Sequence, residues 1–370
     1  MKILEGFRLK NLDLKNRLVF PAIGTNLCNR DSNLNEKILG HYGDIARGGP
    51  GLIITEICKV DDETGRTLPN QLSASSIGDI EKLRPLADLV HSYNSKILLQ
   101  LQHPGMEASP LLLGGRQPLA PSDLTNSEGV QARAMTKREI QVLINKFCLA
   151  GKIAQEAGFD GVEIHAAHGY LLSQFLSPDT NRREDEFGGN IFKRVKIIGD
   201  IVEGIREFCR PDFLISVRIN GSDFLDDGLT IQDSIMASRV LESLGVDLIN
   251  VSSGTQRTKK SVTTIIEPRG YEEGWKKDLA LAIREALTIP VIACNNIKTG
   301  QLAEDMVQEG VCDLVAVGRG QLADNDFVNK IIQGRMEDIV PCISCLACIN
   351  SIASGGEIVC SVNKKYKNKA

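Results

Sequence analysis

The chain has 370 residues, 43 of them basic and 47 acidic, for a formal net charge of −4. Hydrophobic content of 42% against 24% charged residues supplies a sizeable core and argues against disorder. The balance leaves no global basic footprint for nucleic acid, and no apolar run reaches the ~20 residues that cross a membrane.

The first stretch interleaves Lys2, Glu5, Arg8, Lys10, Asp13, Lys15 and Arg17 with apolar positions, so it lacks the uninterrupted core of a secretory signal. A soluble cytoplasmic protein is the expectation. Beyond it, short apolar strand-like runs alternate with helical periodicity. In chain order they pair Leu18–Gly24 with Asn35–Arg47, Gly51–Glu56 with Asp79–Tyr93, Lys96–Leu101 with Lys137–Ala157, and Gly161–His165 with Ile191–Phe208. Then come Phe213–Ile219 with Ile231–Leu244, Asp247–Ser252 with Lys276–Ala286, Pro290–Cys294 with Thr299–Gln308, and Asp313–Gly318 with Asp324–Gln333.

Eight right-handed β–α units close most naturally into a (β/α)8 TIM barrel, an α/β fold expected here over residues 1–335. A doubly wound sheet would usually need fewer units and a glycine-rich turn after its first strand. Pro21-Ala22-Ile23-Gly24 stands there instead. Two long connections, Gln102–Thr136 and Ser253–Trp275, follow the third and sixth strands. They leave the C-terminal ends of the strands, the catalytic face of such barrels, where long loops serve as lids or binding loops.

The ten cysteines are unevenly spread. Cys28, Cys58, Cys148, Cys209, Cys294 and Cys312 stand singly, whereas Cys342, Cys345, Cys348 and Cys360 crowd a C-terminal segment expected over residues 336–370. In a reducing compartment such a cluster reads as metal or iron–sulfur ligands. Cys342-x-x-Cys345-x-x-Cys348, followed after eleven residues by Cys360, suits a 4Fe–4S cluster or a tetrahedral zinc. The two successive x-x gaps favour the cuboidal cluster. The basic end, Lys364 to Lys369, reads as a solvated terminus or a partner-docking tail.

His165, His168 and Tyr170 leave the predicted fourth strand together, beside Gly169, where backbone can approach a ligand closely. Two neutral imidazoles could hold a carbonyl or nitro oxygen and stabilise charge developing on it. A phenol could then deliver a proton to carbon. Spacing alone equally allows a structural or metal-ligating histidine pair.

The run from His165 through Tyr170 to Leu171-Leu172-Ser173-Gln174-Phe175-Leu176-Ser177-Pro178, then Asn181-Arg182-Arg183-x-Asp185-Glu186-Phe187-Gly188-Gly189, resembles the old yellow enzyme family. So do Lys15–Val19, Gln100–Gly105, Ile215–Arg218 and Leu314–Arg319, so the resemblance spans nearly the whole chain. It implies an FMN-binding barrel that reduces activated alkenes. By the family pattern Pro21, Ala22, Ile23 and Gly24 run under the flavin, Gln100 bonds its pyrimidine side, and Arg218 sits near N1 and O2. Asn296, Gly318 and Arg319 match the phosphate positions. Without the resemblance, Arg218 reads as a salt-bridged barrel arginine and Gln100 as a core amide. Cys28 reads as a buried cysteine or a thiol at the site's edge.

The chain departs from the pattern at three places. Gly24 replaces a Thr or Cys, Met106 replaces an Arg, and Asn295-Asn296 replaces a glycine-containing turn. The cysteine tail is similar to the iron–sulfur branch, which includes 2,4-dienoyl-CoA reductase, 2-enoate reductase and trimethylamine dehydrogenase. Those enzymes continue into a second flavin- and nucleotide-binding module, whereas this sequence ends at Ala370. The expectation is therefore that NADH or NADPH reduces FMN directly, that an electron-donor flavoprotein does so through the cluster, or that the cluster is structural. An FMN ene-reductase acting on α,β-unsaturated carbonyl compounds is the leading reading. Oxidative C–N cleavage of amines and an electron-transfer subunit are the alternatives, and a homo-oligomer is left open.

Overall fold

The computed structural model describes residues 1–294 and 296–366. Its centre is a closed barrel of parallel strands: β1 (Leu18–Phe20), β2 (Leu52–Lys59), β3 (Lys96–Gln102), β4 (Gly161–Ala166), β5 (Leu214–Asn220), β6 (Leu248–Ser252), β7 (Val291–Ala293) and β8 (Leu314–Ala316). Each strand pairs with the next, and β8 pairs with β1 to close the ring. The outer helices are α1 (Glu36–Arg47), α2 (Asp79–His91), α3 (Lys137–Glu156), α4 (Lys196–Phe208), α5 (Ile231–Ser243), α6 (Lys277–Ala286), α7 (Gly300–Gln308) and α8 (Phe327–Ile332). The expected TIM barrel is thus the observed one. No helix among the described residues is long and apolar enough to cross a membrane.

Local chemistry explains the differences in detail. The first strand stops at Phe20 because Pro21 has no N–H to donate. The helix expected over Ile191–Phe208 is two pieces, Ile191–Arg194 and α4, with Val195 between them. Helix α3 starts on a capping box in which the Thr136 side chain accepts from Glu139 N and the Glu139 carboxylate accepts from Thr136 N. The long connection after β3 carries a small sheet of its own, Leu119–Ala120, Gln131–Ala134 and Leu124–Thr125.

Inside the barrel the rows change character along the strands. Near the strand starts, Val19, Leu52, Leu98, Leu214, Leu248, Ile292 and Leu314 form an apolar plug with Leu9, Leu12 and Leu14. The last three come from an N-terminal hairpin, Phe7–Leu9 paired with Leu12–Leu14, that closes this end. Side chains alternate with period two along a strand. Two residues further on, the same inward rows present Gln100, Glu163, Ser216, Asn250 and Cys294, with Arg218 beyond Ser216. Polar chemistry is thereby confined to the C-terminal mouth.

The cysteine segment folds back onto that mouth. Ile358 N donates to Thr25 O at 2.9 Å, and Asn26 Nδ2 donates to Gly355 O and Gly356 O at 3.0 Å each. Tyr366 is buried against α1, its hydroxyl 2.9 Å from His41 Nδ1, and Lys365 pairs with Asp44. The basic end is therefore docked as far as Tyr366. Lys367, Asn368 and Lys369 of that expected tail, and Asn295 of the seventh-strand turn, lie outside the described residues.

Candidate active site

The exit of β4 gathers the three residues singled out for chemistry. His165 and His168 are buried, with ring centroids 5.0 Å apart, and the Tyr170 ring lies 5.2 Å from that of His165. The turn that does this is tight: φ is +64° at His168 and +76° at Gly169. A Cβ on Gly169 would stand 3.2 Å from Thr255 Cβ, in a conformation L side chains rarely adopt. His168 N donates to Asn220 Oδ1 at 3.2 Å, and His168 Nε2 lies 2.7 Å from Ser252 Oγ. His165 Nδ1 is buried with no partner.

Electrostatics fix the protonation of this group. Burial, reinforced by the Arg218 charge, drives both imidazoles well below the usual histidine pKa. Burial, then the nearby Glu107 carboxyl, pushes the Tyr170 phenol up to about 12. At neutral pH the site holds two uncharged imidazoles and one protonated phenol.

Beneath them lies a polar floor. Glu163 is fully buried on β4 and accepts from Gln100 Nε2 at 2.7 Å, Asn250 Nδ2 at 2.8 Å and Ser216 Oγ at 3.2 Å. Burial raises its pKa, against the pull of Arg218. Arg218 Nη1 reaches Ala22 O at 3.4 Å, which ties β5 to the Pro21–Gly24 segment. Gln100 Oε1 and Arg218 Nε are buried and unpartnered. Buried polar atoms normally find partners, so orphans of both signs beside His165 Nδ1 fit an acceptor- and donor-bearing ring such as a flavin. A Cβ on Gly24 would make ordinary contact with Leu68 at 3.5 Å, so packing does not demand the glycine. Met106 is buried with Ala120, Leu124 and Ala132 beneath the loop sheet, and Cys28 is buried.

The proposed phosphate positions come together, with an addition. Gly318 packs on Pro21 and Ile23, where a Cβ would stand 3.1 Å from Pro21 Cγ. Arg319 Nη2 donates to Asn296 Oδ1 at 2.9 Å but also to Glu267 Oε2 at 3.0 Å, and Lys276 Nζ lies 2.8 Å from Glu267 Oε1. A carboxylate from the long loop after β6 thus already engages the guanidinium.

Cys342, Cys345, Cys348 and Cys360 line one cavity, together with Arg319, Leu322 and Ile343. Left-handed backbone at Ser344 (φ +51°) and Leu346 (φ +61°) turns the chain so that the first three cysteines face it. All four are free thiols. Among the described residues, no three ligand-type side chains are gathered closely enough to hold a single metal ion. Four thiols around one cavity are a donor set for an iron–sulfur cluster or for a tetrahedral zinc.

Reading the sequence missed Glu163, Asn250, Ser252, Glu107, Glu267 and Lys276. Glu163 carried a signal: an acidic residue in an otherwise apolar strand, two positions before His165, must share its face. Glu107 ends a short 3-10 turn, Glu267 sits in a loop and Lys276 caps α6, and at none of these places does periodicity mark which way a side chain turns.

The profile of the NADH:flavin oxidoreductase / NADH oxidase family matches residues 2–338. The chain belongs to this family. An NADH oxidase of Thermoanaerobacter brockii is 39% identical over 362 residues, 97% of this chain and 55% of that protein. A cinnamate reductase of Clostridium sporogenes is 30% identical over 387 residues, 98% of this chain and 57% of that protein. Among solved structures, 2-naphthoyl-CoA reductase in complex with 2-naphthoyl-CoA superposes with a TM-score of 0.94 at 24% identity, covering 99% of this chain and 57% of that one. The chain spans little more than half the length of these relatives.

Proposed function

We propose that this barrel reduces activated C=C bonds of α,β-unsaturated carbonyl compounds, with NADH, NADPH or an electron-donor flavoprotein as the source of electrons. The observation that carries the reading is the buried, neutral His165–His168 pair beside the protonated Tyr170, above the unpartnered Gln100 Oε1 and Arg218 Nε. FMN bound by Pro21–Gly24, Gln100, Arg218, Asn296, Gly318 and Arg319 would supply the hydride. His165 and His168 donate to the substrate carbonyl oxygen and stabilise the negative charge that develops there. The Arg218 guanidinium lies on the neighbouring strand and adds to the same field. Tyr170 holds a proton at its hydroxyl and delivers it to the α-carbon. Cys342, Cys345, Cys348 and Cys360 would hold a 4Fe–4S cluster, whose chemistry is single-electron transfer. Arg319, which lines that cavity and meets Asn296, lies between the two cofactor regions.

The test is anaerobic purification with cofactor analysis, followed by visible spectra during addition of NADH and then of an enone. The expected protein carries one FMN and about four irons per chain. Its flavin bleaches with NADH and recovers with the enone. Zinc without iron would remove the cluster and leave the flavin reading standing. A reduced flavin that enones leave untouched would overturn alkene reduction, and bleaching by an amine instead would put oxidative C–N cleavage in its place.

A further inference from the structure

We propose that Gln174 is a positioning residue for Tyr170, holding the turn that carries the phenol against the exit of β3. The inference rests on the reading of Tyr170 as the acid. Gln174 lies in the short helix Leu171–Leu176 and is buried. Every donor and acceptor of its amide is used across the two segments. Nε2 donates to Gly169 O at 2.7 Å and to Pro104 O at 3.2 Å, and Oε1 accepts from Met106 N at 3.2 Å. At Gly105, φ is +64° and a Cβ would lie 2.4 Å from Gln174 Oε1, so only glycine lets the two segments close on each other.

The hold acts on the backbone at both sides of Tyr170. Two peptide groups flank its Cα, and all four of their polar atoms are bonded. Gly169 O accepts from Gln174 Nε2 at 2.7 Å, and Tyr170 O accepts from Gln174 N at 2.8 Å. Tyr170 N donates to Ala167 O at 3.3 Å, and Leu171 N donates to His103 O at 3.0 Å. With both planes fixed, the direction of the Tyr170 Cα–Cβ bond is fixed, and the ring stands 5.2 Å from that of His165. The hydroxyl is at the far end of the side chain, so a small tilt of the turn is magnified there. A misplacement of about 1 Å at a reacting group can cost about 100-fold in rate.

The β3 exit is itself anchored. His103 Nδ1 accepts from Gly105 N at 3.1 Å, so Nε2 carries the hydrogen and donates to Thr64 Oγ1 at 3.0 Å. Thr64 Oγ1 donates to Asp61 Oδ2 at 2.5 Å, and Lys146 Nζ lies 2.8 Å from Asp61 Oδ1. On the other side Asn126 Nδ2 donates to Met106 O at 3.2 Å. Gln174 therefore ties the Tyr170 turn to a fixed frame. His168 is held independently, its N by Asn220 Oδ1 and its Nε2 by Ser252 Oγ. Removing the Gln174 amide loosens the phenol and leaves those bonds in place.

The experiment compares the parent, Gln174→Met, Tyr170→Phe and the double variant as FMN-loaded enzymes, with both half-reactions followed by rapid mixing. Methionine keeps the length of the side chain and removes its hydrogen bonds. Gln174→Met should slow flavin reoxidation by 2-cyclohexenone about 10–100-fold. Flavin reduction by NADH and reoxidation by a quinone take no proton from the phenol to carbon, and both should stay parental. In the Tyr170→Phe background Gln174→Met should add no further slowing, because its effect passes through the phenol. A parental enone rate in Gln174→Met overturns the proposal. So does slowing that persists undiminished in the double variant, or that extends equally to the quinone. If Gln174→Met does not load FMN, the same three readouts are taken from Gln174→Glu, which keeps the shape and turns a carboxylate oxygen towards Gly169 O and Pro104 O. With Tyr170→Phe slowed and Gln174→Met parental, only the positioning role falls. If Tyr170→Phe itself reduces the enone at the parental rate, the reading of Tyr170 as the acid falls with it.

Discussion

Gln100 Nε2 donates a 2.7 Å hydrogen bond to Glu163 Oε1, and the two residues are register partners on β3 and β4. The buried carboxylate claims the amide's N–H, so the amide oxygen is left unpartnered as an acceptor. Glu163 thereby sets which end of Gln100 a bound ring would meet.

Removing that carboxylate should cost both stability and cofactor. Glu163→Leu leaves Gln100, Asn250 and Ser216 without their shared acceptor. Each stranded buried donor costs about 1–3 kcal/mol, so a loss of about 3 kcal/mol or more is expected in urea unfolding of the apoprotein. Retention of FMN through desalting should fall as well.

The histidine pair should respond to ligands as a neutral donor set. Phenolates should bind over the oxidised flavin with a long-wavelength charge-transfer band, and His165→Ala or His168→Ala should weaken binding about 10–100-fold. Both imidazoles are held well below the usual pKa, so between pH 6 and 8 neither adds a titration of its own to the ligand's ionisation. An unchanged band in both variants would remove the assigned role.

His41 gives a separate pH test of the docked tail. It is buried, bonded to the Tyr366 hydroxyl, and its pKa is lowered to about 3 by burial and then by Lys365. Because the folded pKa lies below the unfolded one, the unfolded chain takes up the proton first, and stability is lost as pH falls below about 6.5. His41→Gln does not titrate there. Its destabilisation relative to the parent should therefore shrink by about 2 kcal/mol between pH 7.5 and pH 5, read from denaturant midpoints at each pH.

The barrel was readable because its signals are local and repeated. Apolar runs such as Gly161–Ala166 and Leu214–Asn220 are buried on both faces, and polar helices follow each of them. The β4 motif was readable for a related reason: a strand end fixes the direction of the side chains that leave it, as for His165. What the sequence hid depends on long-range closure. Glu163 meets Asn250 only because the barrel brings β4, β5 and β6 side by side. Glu267 meets Arg319 across 52 residues through a loop with no periodicity. The Gly105–Glu107 turn meets the Tyr170 turn through a clamp whose partners, Met106 and Gln174, are 68 residues apart.

The account turns on Tyr170 as the proton donor to carbon, and rapid mixing of the two half-reactions in Tyr170→Phe tests that directly. The ring is kept, so packing is preserved, and the hydride donor needs no proton from the phenol. Flavin reduction by NADH should stay within about twofold of the parent. Reoxidation by an enone should slow by roughly 10²–10⁴-fold, while quinones, which need no carbon protonation, should still reoxidise the flavin. Enone turnover within a few-fold of the parent would contradict the account.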